Sequence, residues 1–253
     1  MRILLTNDDG IGAPGIQALW KSLAEIGDVT VVAPVSERSA MSQAITVHHP
    51  IRVDEYCVFD HPRVCGWRVD GTPTDCVKIA VEALLDTPPD IVVSGINHGP
   101  NLGTDVLYSG TVSAAIEGAM YGLPAVAISL NCWKSHDFSV AAAFARKIVT
   151  AVLENRSLPK HTLLNVNVPA ITEDQIRGVS ITKLGVVQYA NIFERRYDPR
   201  GRTYFWLGGN CVDVENSKDS DVAAVKEGYI SVTPVHFDLT NYQLMDTLKD
   251  WRL

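Results

Sequence analysis

The sequence has little cysteine, no long apolar run and no cluster of basic residues. Its five cysteines are an odd number and include no Cys-x-x-Cys pair, which argues against a disulfide framework and favours buried free thiols in a reducing cytoplasm. No apolar stretch approaches the length that spans a bilayer, and the apolar run near the N-terminus is too short for a signal peptide. We therefore expect a cytoplasmic protein with no membrane partner.

The net charge is −7 and no run of lysine or arginine occurs, so positive charge is also scarce. Long nucleic acid is not expected as a partner, since binding its phosphates needs a positively charged surface. A small anionic substrate would need a local positive group, and a metal ion would supply it. The composition, with 46% hydrophobic and 20% charged residues in 253, is typical of a globular protein with a substantial core.

Hydrophobic periodicity predicts an α/β fold that begins with a β-α-β unit. Residues 3–5 form an apolar run typical of a buried strand, residues 14–25 have helical spacing, and residues 29–33 form a second strand. This order predicts a parallel sheet with a right-handed crossover. Further strands are predicted at 90–94, 123–129, 163–168 and 229–233, and further helices at 74–85, 108–121, 138–153 and 219–226. The strand at 163–168 is expected to be the last central one.

Three segments are predicted to lie outside the parallel core. Residues 45–69 alternate loosely, which predicts antiparallel hairpins, and residues 179–184 and 203–207 are predicted to be the arms of a long hairpin. The tail from 238 to 253 carries an apolar stripe that must be buried on its own subunit or, as the sharper hypothesis, on a second one. We expect a single domain over 1–253, with a core at about 1–185 and 208–235, a protruding hairpin at about 186–207 and a C-terminal arm at about 236–253.

Two adjacent carboxylates, Asp8 and Asp9, follow the first strand. Burying them is costly, because they repel each other and lose hydration. A hard divalent cation such as Mg²⁺, Mn²⁺ or Ca²⁺ would remove both costs, since these ions prefer oxygen ligands. An Asx-turn before the next helix is the simpler alternative.

Residues 10–15 also match the G-x-G-x-x-G pattern of dinucleotide-binding sites. Two features argue against that function. The carboxylates of Asp8 and Asp9 would face the pyrophosphate, and the second strand ends at Ala33-Pro34 without the acidic residue that would hold a ribose.

Oxygen ligands and phosphate-type donors recur in four segments that are expected at one edge of the sheet. These segments contain Asp8 and Asp9; Ser36, Ser39 and Ser42; Asn97 and Asn101; and the helix start Ser109-Gly110-Thr111. Free backbone N–H groups at a helix start favour an anion such as phosphate. Together the segments indicate metal-assisted phosphoryl transfer to water. Turn formation by Ser39 and Asn97 and helix capping by Ser109 and Thr111 are the simpler alternatives.

Short motifs run along nearly the whole chain. They are Asn7-Asp-Asp-Gly10, Ser39-Ala40, Val69-Asp-Gly-Thr-Pro-Thr-Asp75, Ser94-Gly-Ile-Asn97, Asn101-Leu-Gly103, Tyr108-Ser-Gly-Thr-Val112, Asn165-Val-Asn-Val-Pro169, Asp198-Pro-Arg-Gly201, Asp219-Ser-Asp221 and Gly228-Tyr-Ile-Ser-Val-Thr-Pro234. This set resembles the SurE (survival protein E) family of metal-dependent nucleotidases. The Asn-Asp-Asp-Gly and Ser-Gly-Thr-Val motifs at their relative positions are its most specific part.

The resemblance implies a three-layer Rossmann-like parallel-sheet core and one divalent metal ion per subunit, with Mg²⁺ or Mn²⁺ as the first candidates. The expected metal ligands are Asp8, Asp9, Ser39 and Asn97. The expected catalytic residues are Asp8, Asp9 and Asn97, with Asp9 as the candidate acceptor of the water's proton. The substrate phosphate is expected at Asn97, Asn101, Ser109, Gly110 and Thr111.

The implied reaction is hydrolysis of nucleoside 5′-monophosphates to nucleoside and phosphate, with 3′-monophosphates and short polyphosphate as further candidate substrates. The resemblance also implies a homodimer or homotetramer that exchanges C-terminal elements. Two alternatives stay open: a nucleotide-binding regulatory module without turnover, and a phosphatase that forms an aspartyl-phosphate. The first would gain nothing from two carboxylates beside a phosphate. The second usually separates its aspartates by one residue, so that both face the same side.

Overall fold

The structure, a computed structural model, describes residues 1–57, 59–135, 137–155 and 158–251. Val58, in the segment predicted to form hairpins, and the last two residues of the predicted arm lie outside the described residues. The strands are β1 (Arg2–Thr6), β2 (Asp28–Pro34), β3 (Val53–Glu55), β4 (Val64–Val69), β5 (Ile91–His98), β6 (Ala125–Asn131), β7 (Thr162–Pro169), β8 (Val179–Ile181), β9 (Gln188–Ala190), β10 (Phe193–Tyr197), β11 (Thr203–Leu207), β12 (Asn210–Val212) and β13 (Ile230–His236). The α-helices are α1 (Pro14–Leu23), α2 (Pro73–Ile79), α3 (Gly110–Met120), α4 (Ser139–Asn155), α5 (Asp221–Lys226) and α6 (Tyr242–Lys249). A π-helical turn, Ala80–Leu84, extends α2, and short 3₁₀ segments lie at Gly103–Leu107 and Glu173–Gln175.

One mixed sheet runs through the molecule in the order β3-β4-β2-β1-β5-β6-β7-β13-β8. The strands from β4 to β7 are parallel, whereas β3 and β13 run antiparallel to their inner neighbours. The order of strands reverses direction between β1 and β5, because β2 and β4 lie on one side of β1 and β5 to β7 lie on the other. In α/β sheets, ligands bind in the crevice at the carboxyl ends of the strands at such a switch point.

Helices cover both faces of the sheet and give the molecule three layers. Successive side chains of a strand point to opposite faces, so β1 contributes Ile3 and Leu5 to one core and Leu4 to the other. Helices α1 and α4 close the first core, and α2 and α3 close the second. The expected α/β architecture is therefore confirmed.

The prediction for residues 45–69 is wrong in one respect, since β4 belongs to the parallel part of the sheet. It pairs parallel with β2, with Gly66 opposite Val31, and only β3 forms an antiparallel edge strand. Cys65 and Arg68 are exposed on β4, which lies second from the edge of the sheet, so this strand lacks the continuous burial of the central parallel strands. The loose alternation of residues 45–69 indicates strands but not the direction of their partners.

The sheet also continues beyond β7, the strand predicted to be the last central one. Strand β13 pairs antiparallel with β7, and β8 pairs with β13. The prediction that residues 179–184 and 203–207 form one hairpin is wrong, because β11 pairs with β10 instead. Pairing between strands distant in sequence depends on tertiary packing, which the local pattern does not encode.

Two segments of the described chain leave the core. The hairpin (residues 188–212) consists of β9 paired with β12 and of β10 paired with β11, and every residue of β10 and β11 is exposed. The C-terminal arm (residues 236–251) contains α6, which has no buried residue. Among the described helices, none combines the length and the apolar character needed to cross a bilayer. All five cysteines carry free thiols, but only Cys76 is buried, contrary to the expectation for the others.

Candidate active site

The predicted site residues meet at the switch point, where β1 and β5 end side by side. The last paired residues of the two strands are Thr6 and Ser94. Strand β5 extends further than predicted, to His98, after a shift of register between Ser94 and Asn97. Asn97 therefore lies at the end of a strand rather than in a loop, beside the carboxylates that follow β1.

Asp8 is buried, with 4% of its surface exposed. Its Oδ1 accepts a hydrogen bond from the Thr111 hydroxyl, and Gly110 approaches so closely that a Cβ there would lie 2.8 Å from the Asp8 Cβ. Burial raises the pKa of Asp8 to about 6, while the Thr111 hydroxyl lowers this pKa and the charge of Asp9 raises it. Asp8 is thus held in one orientation where its negative charge is disfavoured.

Asp9 is half-buried and accepts a hydrogen bond at Oδ2 from the backbone N–H of His98, at 3.1 Å. Burial raises the pKa of Asp9, the bond from His98 lowers it, and the charge of Glu37 raises it. In the part of the chain that the structure describes, no lysine or arginine forms an ion pair with Asp8, Asp9 or Glu37. The local electrostatics therefore favour a cation at this position.

The loop after β2 brings Ser39 to the same edge of the sheet. The N–H of Arg38 donates to the carbonyl oxygen of Asp8 at 2.7 Å, and the Ser42 hydroxyl donates to the carbonyl oxygen of Leu107 at 2.7 Å. These bonds fasten the loop to the end of β1 and to the segment before α3. The Ser39 hydroxyl donates to Oε1 of Glu37 at 2.7 Å, which leaves its oxygen lone pairs available.

Glu37 is absent from the predicted set of site residues. Its charge nevertheless acts on Asp9, and its carboxylate orients the Ser39 hydroxyl. The available signal was its position two residues before Ser39, in a loop already assigned to the site. The N–H of His98 was missed as well, because a backbone donor leaves no trace in the side-chain pattern.

Asn97 is nearly buried, and its Nδ2 donates to the carbonyl oxygen of Gly99 at 2.9 Å. This bond uses one of the two amide N–H donors, and Oδ1 is the atom of this side chain that can ligate a cation. Asn97 and the two carboxylates therefore present oxygen atoms at the ends of neighbouring strands.

Asn101 is buried in a network of amides. Its N–H donates to Oδ1 of Asn167 at 2.8 Å, and its Nδ2 donates to the Ser129 hydroxyl at 2.7 Å. Its carbonyl oxygen accepts bonds from Asn165 and Asn167, both at 2.9 Å. The two asparagines of β7 face the same side because they are two residues apart. These contacts fix the loop after β5, and they use one of the two amide N–H donors of the Asn101 side chain.

Helix α3 begins at this edge, as predicted. Ser109 is its N-cap, because the Ser109 Oγ accepts the N–H of Val112 at 3.1 Å. Thr111 is fully buried, and its hydroxyl donates a hydrogen bond to Asp8. The structure therefore brings Gly110 and Thr111 against Asp8, whereas the Ser109 side chain is engaged within its own helix.

Two further carboxylates hold the far end of the Ser39 loop. Asp75, in one of the recognised motifs, accepts the hydroxyl of Thr46 at 2.6 Å. Glu117 on α3 accepts Gln43 at 3.0 Å and Lys78 at 2.9 Å. The loop is thus anchored to both helices of one layer.

Within the described residues, no three His, Cys, Asp or Glu side chains are grouped as a metal cluster. Any metal at this edge would accordingly depend on the two adjacent aspartates together with neutral oxygens from serine and asparagine. That donor set suits a hard cation that keeps water in its coordination shell.

Comparison with known proteins adds to this geometry. A family model described as Survival protein SurE matches residues 3–191. A relative from Heliobacterium modesticaldum, named 5′-nucleotidase SurE, is 55% identical over 251 residues, which cover 99% of this chain and 92% of the relative. One of the same name from Carboxydothermus hydrogenoformans is 53% identical over 255 residues, covering 99% and 96%. The crystal structure of the SurE protein from Aquifex aeolicus matches with a TM-score of 0.85 at 38% identity, over 98% of each chain.

Proposed function

This chain belongs to the survival protein SurE family, and from that membership we propose how its site hydrolyses nucleoside 5′-monophosphates to nucleoside and phosphate. The chain is a 5′-nucleotidase, since relatives of that name are about half identical to it over nearly its full length. The assignment of roles within the site, including the metal, is the part that we propose.

The observation that carries the proposal is the pair Asp8 and Asp9 at the switch point. Burial raises the pKa of both side chains, and no lysine or arginine of the described residues forms an ion pair with either. A divalent cation would hold both carboxylates ionised, because opposite charge offsets desolvation and mutual repulsion. The residues present therefore fit such an ion.

Asp8, Asp9, Ser39 and Asn97 would hold the metal, with Mg²⁺ or Mn²⁺ as the first candidates. When bound, a divalent ion supplies Lewis-acid polarisation of a phosphoryl group and lowers the pKa of coordinated water. Ser39 fits this role because its proton is already donated to Glu37, and Asn97 fits because its nitrogen is already bonded to Gly99.

The remaining residues position the charged groups and the phosphate. Thr111 orients Asp8, and the backbone at Gly110 offers the N-terminus of α3 to an anion. Asp9 is the proposed acceptor of a proton from the attacking water, since it is the more accessible of the two carboxylates. The proposed phosphate-binding set also includes Asn97, Asn101 and Ser109. Asn101 and Ser109 act indirectly in this proposal, because they hold the backbone of the loop after β5 and of the start of α3 in place.

Assembly with further copies of the chain is the second part of the proposal. The hairpin and the C-terminal arm expose large apolar side chains, including Phe205, Trp206, Leu239 and Trp251. Exposed apolar area of this kind usually marks an interface. Exchange of these elements between subunits related by a two-fold axis would bury both, as a homodimer or a homotetramer.

A phosphate-release assay tests the activity and the metal together. We expect release from nucleoside 5′-monophosphates in Mg²⁺ or Mn²⁺, and none after dialysis against EDTA. The panel includes 3′-monophosphates and short polyphosphate to define the substrate range. Nucleotide binding without phosphate release in any metal would instead support a regulatory module, and a trapped aspartyl-phosphate would support the other alternative.

A further inference from the structure

A large aromatic side chain lies exposed beside the proposed site. Trp133, in the loop after β6, has 69% of its surface in solvent. An indole in water contributes little to folding, so its position calls for a partner that is absent from the subunit fold. Building on the proposed function, we propose that Trp133 is the surface on which the nucleobase of the substrate stacks.

A short series of contacts joins Trp133 to the catalytic edge, by which we mean the carboxyl ends of β1 and β5 with Asp8, Asp9 and Asn97. The N–H of His98 donates to Asp9, and the Asn97 amide donates to the carbonyl oxygen of Gly99. The six-membered ring of Trp133 lies directly over Gly99, because a Cβ added to that glycine would come within 2.3 to 2.5 Å of three of the ring atoms. The indole therefore rests on the residue that Asn97 holds, one residue from the backbone group that contacts Asp9.

The indole is also fixed in place before any ligand binds. The Cys132 thiol accepts the N–H groups of Lys134 and Ser135, both at 3.3 Å, which closes the turn that carries Trp133. The N–H of Gly99 donates to the carbonyl oxygen of Leu130 at 3.1 Å. A ring that is held on one side and open on the other is preorganised for stacking, so little side-chain entropy is lost on binding.

The chemistry of the surroundings favours a nucleobase over a protein partner. The two described residues that follow Trp133 in the loop are polar, with Lys134 exposed and Ser135 partly exposed. A nucleobase has an aromatic face of matching size and polar edges that suit such neighbours. Stacking of a base on an aromatic side chain tolerates every base, and purines offer the larger face.

The test compares a substrate that has a base with one that lacks it. We expect Trp133→Ala to lower kcat/KM for adenosine 5′-monophosphate by about tenfold or more, because base stacking is worth roughly that factor. Hydrolysis of ribose 5-phosphate should stay within about twofold of wild type, since it does not use the indole. Trp133→Phe is the matched control and should retain most of the activity on the nucleotide.

A second measurement does not depend on turnover. Adenosine 5′-monophosphate added in EDTA should quench the emission of Trp133 in the wild type. This component of the quench should be absent from Trp133→Phe. An equal loss on both substrates would mean that Trp133 only supports the loop, and a changed sedimentation mass of Trp133→Ala would mean that it contacts another subunit. Either result, or an unchanged quench in Trp133→Phe, would overturn the inference. If the wild type hydrolyses no compound, the proposed function fails, and the quench alone decides the role of Trp133.

Discussion

The catalytic edge distributes polar and apolar groups in the opposite way to the two exposed segments, the hairpin and the C-terminal arm. At the edge, polar groups are buried, and Asp8 is 4% exposed because Thr111 bonds to it and Gly110 packs against it. On the hairpin, apolar groups are exposed, and Phe193 is 67% in solvent. Burial therefore follows the availability of partners rather than hydrophobicity alone. The polar groups of the catalytic edge have their partners within the subunit, whereas the apolar groups of the hairpin and the arm would be covered in the assembly that we propose.

The largest effect on turnover is expected from loss of charge at the buried carboxylate. Asp8→Asn should lower phosphate release at least about 100-fold, because a neutral amide is a poor ligand for a hard cation. The metal-free variant should unfold at the same temperature as the metal-free wild type or higher, since a buried charge is removed and the bond to Thr111 is retained. Asp9→Asn should lose activity similarly. Turnover within about tenfold of wild type for either variant would contradict the assignment of metal ligands.

The next effect concerns the hydroxyl that orients Asp8. Thr111→Val keeps the shape of the side chain but removes the donor, so turnover and metal affinity should both fall by about tenfold or more. Thr111→Ser, which keeps the hydroxyl, serves as the control. Calorimetric titration with Mn²⁺ gives the metal affinity. Normal Mn²⁺ binding together with slow turnover would instead indicate that Thr111 acts on the phosphate.

A smaller effect is expected at Glu37. Glu37→Gln retains an acceptor for Ser39 but removes the negative charge near Asp9, so Mn²⁺ affinity should weaken by up to about tenfold. Glu55→Gln, an exposed carboxylate on β3, is the matched control and should change nothing. Equal affinities for the two variants would show that Glu37 does not support the metal site.

The smallest effect on turnover, and the clearest effect on mass, is expected on the hairpin. Phe205→Glu places a charge on an exposed apolar face and should reduce the sedimentation mass while turnover changes by less than about twofold. Phe205→Leu, which keeps the same position apolar, is the matched control and should keep the native mass. A wild-type chain that sediments as an active monomer at micromolar concentration would contradict the proposed interface, because the hairpin would then be stable without a partner.

Local patterns predicted the parts of the fold that rest on periodicity. The opening β-α-β unit, the start of α3 at Ser109 and the carboxylates after β1 all lie where the sequence places them. Strand β4 was assigned to hairpins because residues 45–69 alternate loosely, but pairing direction is a property of the whole sheet. The neighbour of β7 was missed for the same reason.

Side-chain roles were harder to predict than positions. Thr111 was assigned to the phosphate from its place at a helix start, but its hydroxyl bonds to Asp8, which is 103 residues away in sequence. Asn165 and Asn167 look like ordinary strand residues until the backbone of Asn101 is seen to lie against them. Such contacts arise from the crossing of distant segments, which a one-dimensional pattern does not contain.

The bonds that Asn165 and Asn167 donate to the carbonyl oxygen of Asn101 have a consequence for the order of events during synthesis. A ribosome produces β1, the Ser39 loop, β5 and α3 well before β7, so a nascent chain that ends before Asn165 has the ligand residues but lacks the groups that hold the Asn101 loop. Contacts between distant segments form late, and an N-terminal portion is available earlier than the strand that completes it. Strand β7, which carries none of the proposed metal ligands, therefore determines when the catalytic edge becomes fully rigid.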